Sequence, residues 1–314
     1  MKKHILLLFG MFLFLYTMLM PVSVCADTLE TEKECSLSLS YKIEDRKFEN
    51  LEISIDRIAS VMPDGTYVMV APYSSYPVNI HGITSQTEWK NTAETLMSYV
   101  VADKVVPYRT GQTDEEGCVL FTGLETGLYL VRNVIADYDT GTSLFQEFMI
   151  YLPTPSDDGS FVYDMKAIPK PVKLSEKKEY AVMKQWKDSG YEDQRPDEVL
   201  IELYKDGIYK ETVLLNVSNN WSYVWKDTDG TGIWTAVEKN APDGYEVTVT
   251  TKGNRLIVTN TYIAPEEPDK PDTPKTGDTT PIWAYIILLC ISGMGLLVLG
   301  MFMTKRGKDN KKRR

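Results

Sequence analysis

The chain has 314 residues, a quarter of them charged, and a formal net charge of −10 at pH 7. An acidic balance of this size argues against nucleic acid or an anionic lipid surface as a partner. With two histidines and four cysteines in the whole chain there is almost no material for a histidine-based metal site or a Ser-His-Asp triad, so neither metal nor cofactor is expected.

Residues 1–26 read as a secretory signal peptide. Lys2, Lys3 and His4 form its charged start, Ile5 to Met20 its apolar core, and Val24-Cys25-Ala26 a small-residue cleavage site. A lipoprotein signal through Cys25 would need a small residue before it, where Val24 stands. Cys25 leaves with the signal and Cys290 lies in a later apolar run, so Cys35 and Cys118 remain in the exported body. An oxidising compartment permits a disulfide between them, and two buried thiols fit the sequence equally well.

Residues 27–173 form a first body that reads mostly as strand. Leu37, Leu39, Tyr41 and Ile43 alternate with other residues, as do Leu51, Ile53 and Ile55. Further strands are expected over 66–70, 119–122, 128–131, 145–152 and 162–168, with turns at Pro63-Asp64-Gly65 and Asp114-Glu115-Glu116-Gly117. One helix interrupts them. Ser85-Gln86-Thr87-Glu88 is a capping-box pattern, and Trp89, Ala93, Leu96 and Val100 follow at helical spacing as a core-facing stripe. His81 falls in a loop, as a surface or packing residue. The prolines of Pro169-Lys170-Pro171-Val172-Lys173 mark the end of this body.

Residues 174–263 form a second body with six alternating segments, over 199–204, 209–215, 221–225, 232–237, 245–250 and 256–261. Short antiparallel strands of this kind suggest a β-sandwich. Three polar residues lie out of place. Lys184 shares a face with Val182 and Trp186, Asn260 with Val258, and Glu238 with Trp234 and Ala236. An unpaired polar group aimed into an apolar interior costs several kcal/mol. Together the three make chemical sense. Burial lowers the pKa of a lysine and raises that of a glutamate. A neutral Lys184 amine can then attack the Asn260 carboxamide, while a protonated Glu238 hydrogen-bonds its carbonyl and shuttles protons as ammonia leaves. The plainer alternative is a surface Lys and Asn with Glu238 in an ordinary salt bridge.

Residues 181–262 resemble a CnaB-type domain of Gram-positive surface proteins. The resemblance rests on Val182-Met183-Lys184-Gln185-Trp186, Leu203-Tyr204-Lys205-Asp206-Gly207, Trp234-Thr235-Ala236-Val237-Glu238, Ala241-Pro242-Asp243-Gly244-Tyr245 and Val258-Thr259-Asn260-Thr261. It implies a Lys184–Asn260 isopeptide bond with Glu238 as the catalytic acid. The first body resembles the N-terminal domain of sortase-assembled pilins, through Thr113-Asp114-Glu115-Glu116-Gly117, Phe121-Thr122-Gly123-Leu124-Glu125-Thr126-Gly127-Leu128-Tyr129-Leu130-Val131 and the terminal Ala167-Ile168-Pro169-Lys170. The last of these is similar to a Tyr-Pro-Lys pilin motif with Ile168 in place of Tyr. It implies Lys170 as the amine that links subunits, with Lys166 and Lys173 as neighbours able to substitute. No isopeptide bond is expected in the first body, where a Cys35–Cys118 bridge could serve instead.

Residues 264–276 form a Pro-rich stalk, extended at ~3.1 Å per residue where it adopts polyproline II. Thr273-Pro274-Lys275-Thr276-Gly277 ends it and resembles the Leu-Pro-X-Thr-Gly sorting motif, with Thr273 for the Leu. The resemblance places sortase cleavage between Thr276 and Gly277. The apolar run 282–304 is long enough, at ~1.5 Å rise per residue, to cross a ~30 Å hydrocarbon core. The basic tail 305–314 marks the cytoplasmic side. The expected fold is therefore mainly β, with two tandem Ig-like or prealbumin-like sandwiches, the first with one inserted helix, and a C-terminal transmembrane helix. The expected role is a shaft or basal subunit of a wall-anchored pilus, with sortase, other pilin subunits and the peptidoglycan precursor as partners. The alternative is a monomeric wall-anchored adhesin for a host or matrix ligand. No enzyme acting on outside substrates is expected.

Overall fold

Alternation sets the first body. In β1 (Cys35–Ser40) every second residue is buried, among them Leu37 and Leu39. The chain continues through β2 (Glu52–Val61), β3 (Tyr67–Met69), α1 (Gln86–Asp103), β4 (Arg109–Gln112), β5 (Cys118–Leu124), β6 (Gly127–Val131), β7 (Val134–Tyr138), β8 (Gly141–Phe145), β9 (Phe148–Leu152), β10 (Asp164–Ala167) and β11 (Pro171–Lys173). The computed structural model describes residues 28–264, apart from 139–140, 157, 175–178 and 229–231. The expected signal peptide, stalk beyond Ala264, sorting motif, 282–304 span and basic tail lie outside the described residues. Among the described residues no helix is long and apolar enough to cross a membrane.

The described chain is mainly β, as expected. In the first body one sheet has the order β10-β1-β5, and a second the order β9-β6-β2, with β3 and β4 sharing the far edge of β2. A third, small sheet has the order β11-β8-β7. Leu37, Ile55, Phe121, Tyr129, Val131 and Phe145 fill the space between the strands. β6 is buried on both faces, with Tyr129 and Val131 in that core and Leu128 and Leu130 under α1. This is why Gly127–Val131 reads as a continuous apolar run rather than an alternating one.

The capping box forms as the sequence predicts. The Glu88 backbone N–H donates to the Ser85 hydroxyl, and the Glu88 carboxylate accepts from the Ser85 N–H at 3.0 Å. The expected stripe packs inward through Ala93, Leu96 and Val100, with Trp89 at its margin. Two strand expectations need correction. The segment 145–152 is two strands broken at Gln146-Glu147, because the buried Glu147 turns to accept from the Asn133 side-chain amide at 2.9 Å. Strand β7 is not among the expected strands: Val134 and Ala136 face the core, but an apolar Ile135 stands at the outward position between them and hides the alternation.

The disulfide is a further correction. Cys35 lies opposite Leu124 and Cys118 opposite Ser40, so the two cysteines sit at opposite ends of the β1–β5 pairing. About five steps of strand at ~3.3 Å each separate them, well beyond the ~7 Å Cα reach of a disulfide. Both are free thiols.

The second body contains β12 (Glu179–Lys187), β13 (Glu198–Lys205), β14 (Ile208–Asn216), β15 (Ser222–Lys226), β16 (Trp234–Val237), β17 (Tyr245–Lys252) and β18 (Arg255–Tyr262). They make two sheets, β15-β12-β18-β17 and β14-β13-β16, with Val182, Ile201, Leu203, Leu215, Val249 and Val258 between them. Not all pairings are antiparallel. The tight β17–β18 hairpin, in which Lys252 faces Arg255, returns the chain beside β12 in the same direction. The first and last strands are therefore parallel neighbours, from Ala181 opposite Arg255 to Lys187 opposite Thr261. β1 and β10 of the first body are parallel in the same way.

The helix has a second buried face, against the second body. Tyr204 and Val237 join the cluster that holds Leu96 and Val100. The Val249 N–H donates to the Thr95 hydroxyl at 2.8 Å, and the Val247 N–H to the Pro77 carbonyl at 2.7 Å. The outer edge of β17 is thus hydrogen-bonded to the first body.

Candidate cross-link site

The parallel β12–β18 register builds the site. Lys184 lies opposite Val258 and Trp186 opposite Asn260, so Lys184 and Asn260 are two positions apart on adjacent strands. Even residues of both strands face the core, which turns the Lys184 and Asn260 side chains into the sandwich. Glu238 follows the last residue of β16, in the opposite sheet, and points at both. Asn260 is fully buried, Glu238 is 1% exposed and the Lys184 side chain is fully covered.

The Glu238 carboxyl bridges the pair. Its Oε2 lies 3.7 Å from Lys184 Nζ, and its Oε1 accepts from Asn260 Nδ2 at 3.0 Å. The contact therefore runs to the amide nitrogen, and not to the carbonyl as the sequence reading had it. The amide hydrogens need an acceptor in this dry interior, and Oε1 supplies it. Among the described residues, two buried oxygens, Glu238 Oε2 and Asn260 Oδ1, find no hydrogen-bond partner.

The aromatic surroundings keep water out. Lys184 Nζ sits 3.7 Å from the centroid of the Trp186 ring. Trp221 and Tyr245 meet the same ring edge-on, at 5.3 and 5.4 Å between centroids. Asp188 holds the margin, taking a two-pronged contact from Arg195 at 2.6 and 2.7 Å and a third from the Tyr245 hydroxyl.

Burial pulls the Lys184 amine down to about 8 against the opposing attraction of Glu238. Burial also pushes the Glu238 carboxyl up, opposed by Lys184 and by the Asn260 hydrogen bond. Both shifts favour the same event. A proton moved from Lys184 to Glu238 turns a buried ion pair into two neutral groups, one of them a nucleophilic amine. The hydrogen bond from Nδ2 places that carboxyl where it can deliver the proton to the departing nitrogen.

The other sequence-predicted residues lie elsewhere. Lys170 is exposed just before β11, and its carbonyl accepts from the Gln146 N–H at 3.3 Å. Lys166 and Lys173 are exposed as well. Thr273, Pro274, Lys275, Thr276 and Gly277 lie outside the described residues. Among those described, no group of metal-ligating side chains could hold an ion. Sequence reasoning missed Asp188 and Tyr245 at the rim. It also missed Tyr99, whose hydroxyl donates to the Glu238 carbonyl at 2.9 Å from a helix 139 positions away.

Residues 180–261 match the Cna protein B-type domain. The match spans the second body and includes Lys184, Glu238 and Asn260. Among curated proteins, a "Collagen adhesin" of Staphylococcus aureus is 41% identical over 110 residues, which is 32% of this chain. The chain spans only 9% of that relative's length. Among solved structures, a single B repeat unit of the S. aureus collagen-binding surface protein is similar at 18% identity and a TM-score of 0.25, over 74% of this chain and 98% of the other. The major pilin SpaD of Corynebacterium diphtheriae is similar at 10% identity and a TM-score of 0.26, over 75% of this chain and 98% of the other. The second body thus resembles the Cna protein B-type domain, which is the part of the chain the family match covers.

Proposed function

We propose that the chain is a structural subunit, shaft or basal, of a sortase-assembled pilus anchored covalently to the cell wall. In this reading the B-type domain is closed by an amide between Lys184 and Asn260. The observation that carries it is the buried Lys184–Glu238–Asn260 set spanning the first and last strands. Such a covalent tie is of most use to a subunit held under tension. The exported chain is membrane-inserted until sortase cuts after Thr276. Thr276 is then joined to Lys170 of another copy, or to the amine of a peptidoglycan precursor. The order of signal peptide, two β bodies, sorting motif, apolar span and basic tail supports the assignment, as does the exposure of Lys170. The internal amide forms once per molecule, so the chain turns over no substrate.

The similarity to a collagen adhesin favours a second reading, a monomeric wall-anchored adhesin for a host or matrix ligand. Electrophoresis of the wall fraction under denaturing, reducing conditions separates the two. The pilin reading expects a ladder of covalent multimers that collapses to one band in Lys170→Ala. A single band in the wild type rules out polymerisation and leaves the adhesin.

A further inference from the structure

The acid of the cross-link site is held from outside its own domain. Tyr99 lies on the face of α1 that meets the second body, and its hydroxyl donates to the Glu238 main-chain carbonyl at 2.9 Å, both groups buried. Its ring is fixed by stacking on Tyr76, with centroids 4.6 Å apart and planes 16° apart. One helical turn further on, Asp103 takes Lys239 Nζ at 3.3 Å. The same helix face therefore grips two consecutive residues, Glu238 by its backbone and Lys239 by its side chain. These residues come just after β16, where the strand ladder to β13 ends at Val237 opposite Glu202. Past the ladder the second body holds this segment through side chains, with Asn260 donating to Glu238 Oε1 at 3.0 Å and Glu202 Oε2 lying 3.7 Å from Lys239 Nζ, and the helix adds the grip on the Glu238 backbone. A carboxyl that must sit within hydrogen-bond reach of two reacting groups is sensitive to displacements of about 1 Å.

We propose that Tyr99 is a positioning residue for amide formation in the second body, acting through the Glu238 backbone. This rests on the reading of Lys184, Glu238 and Asn260 given above. In the step it serves, the Lys184 Nζ to Asn260 Cγ bond forms and the Cγ–Nδ2 bond breaks. Glu238 passes one amine proton to the leaving nitrogen, which departs as ammonia. Tyr99 touches none of the reacting atoms. It fixes where the carboxyl that moves the proton stands. The cross-link in one body is thereby made to depend on a helix of the other.

The test follows the fraction of freshly synthesised full chain that has lost ammonia, about 17 Da, against time after translation. Tyr99→Phe removes only the hydroxyl and is expected to slow the reaction about tenfold or more. Thr95→Val is the control: it removes the acceptor of the Val249 N–H on the same helix and the same interface without touching Glu238, and its rate stays within about twofold of wild type. The pH–rate profile supplies a second readout. Lys184 and Tyr99 face Glu238, and a carboxyl released from the helix grip is better hydrated, so it loses its proton at lower pH. The alkaline limb therefore moves to lower pH in Tyr99→Phe and stays in place in Thr95→Val. Equal slowing of both variants with unmoved profiles reduces Tyr99 to an interface residue, and an unchanged Tyr99→Phe rate overturns the proposal outright. A wild-type chain that never loses ammonia removes the cross-link reading itself, and this one with it.

Discussion

Replacing Lys184 by Met tests the cross-link most directly. The substitution keeps the apolar stem beside Trp186 and removes the amine, so the side chain still fills its place while the amide cannot form. The bond would close a loop of about 76 residues, and a tie of that length stabilises by about 4–5 kcal/mol if it acts through chain entropy as a disulfide does. The second body shares a buried interface with the first, so the relevant unfolding unit has on the order of 230 residues. For a unit of that size each kcal/mol shifts Tm by ~2–4 °C, which predicts a fall of about 8–20 °C. Glu238→Gln is the necessary companion. It is nearly isosteric and keeps Lys184, yet it cannot take up and release the proton, so it too should retain its full mass and melt about as low as Lys184→Met. The double variant should lose little more than either single, because both act through one bond. Intact-mass measurement and calorimetry on the full chain read the two quantities independently. A Glu238→Gln chain that still loses ammonia, or a Lys184→Met chain melting within a few degrees of wild type, refutes the reasoning.

Two further outcomes follow from the same geometry. In Asn260→Ala the amide cannot form and Lys184 remains a titrating amine, which burial holds at about 8, below the ordinary lysine value of 10.5. The unfolded chain then binds more protons than the folded one between those values, so stability rises as pH is raised from about 8 to about 10. Denaturant titrations should show this rise in the variant relative to wild type, whose amine is consumed; a parallel pH course in both would contradict it. The thiols give the other test. The native chain should show Cys118 reacting readily with a thiol reagent and Cys35 reacting slowly, since burial pushes the Cys35 thiol up to about 11, and reductant should leave Tm unchanged.

Much of this fold is legible in the sequence because its strands are buried on one face. Leu37 and Leu39, or Val182 and Lys184, alternate cleanly, and a polar residue in the inward register stands out by position alone. That is how Lys184, Glu238 and Asn260 can be singled out without coordinates. Direction within a sheet is not written in alternation, so the parallel pairing of β12 with β18 depends on how the β17–β18 hairpin returns the chain. The Cys35–Cys118 bridge fails on register, which places the two at opposite ends of a strand pair, and no count of cysteines reports register. The second face of α1 is hidden for another reason. Thr95, Ser98 and Tyr99 look like solvent-facing residues of an amphipathic helix, and become buried only because another body packs there. Tyr99 meets Glu238 across 139 residues of chain, a pairing that no local pattern could announce.

The placement of the proposed tie also fits its expectation in the second body alone. β1 and β10 are parallel neighbours like β12 and β18, yet their facing positions carry Leu37 with Met165 and Leu39 with Ala167, which have no chemistry to join them. On the proposed linkage, tension enters a subunit at Lys170 and leaves at Thr276. All of the first body except β11 precedes Lys170 in the chain and so lies outside that path. The second body lies wholly within it, between its parallel first and last strands, where tension at the two ends would shear the hydrogen-bond ladder. An amide from Lys184 to Asn260 would take the load across the ladder and remove residues 185–259 from the path. On the proposed linkage a covalent tie is needed in the body that bears force, and that is the body in which the amine, the acid and the carboxamide converge.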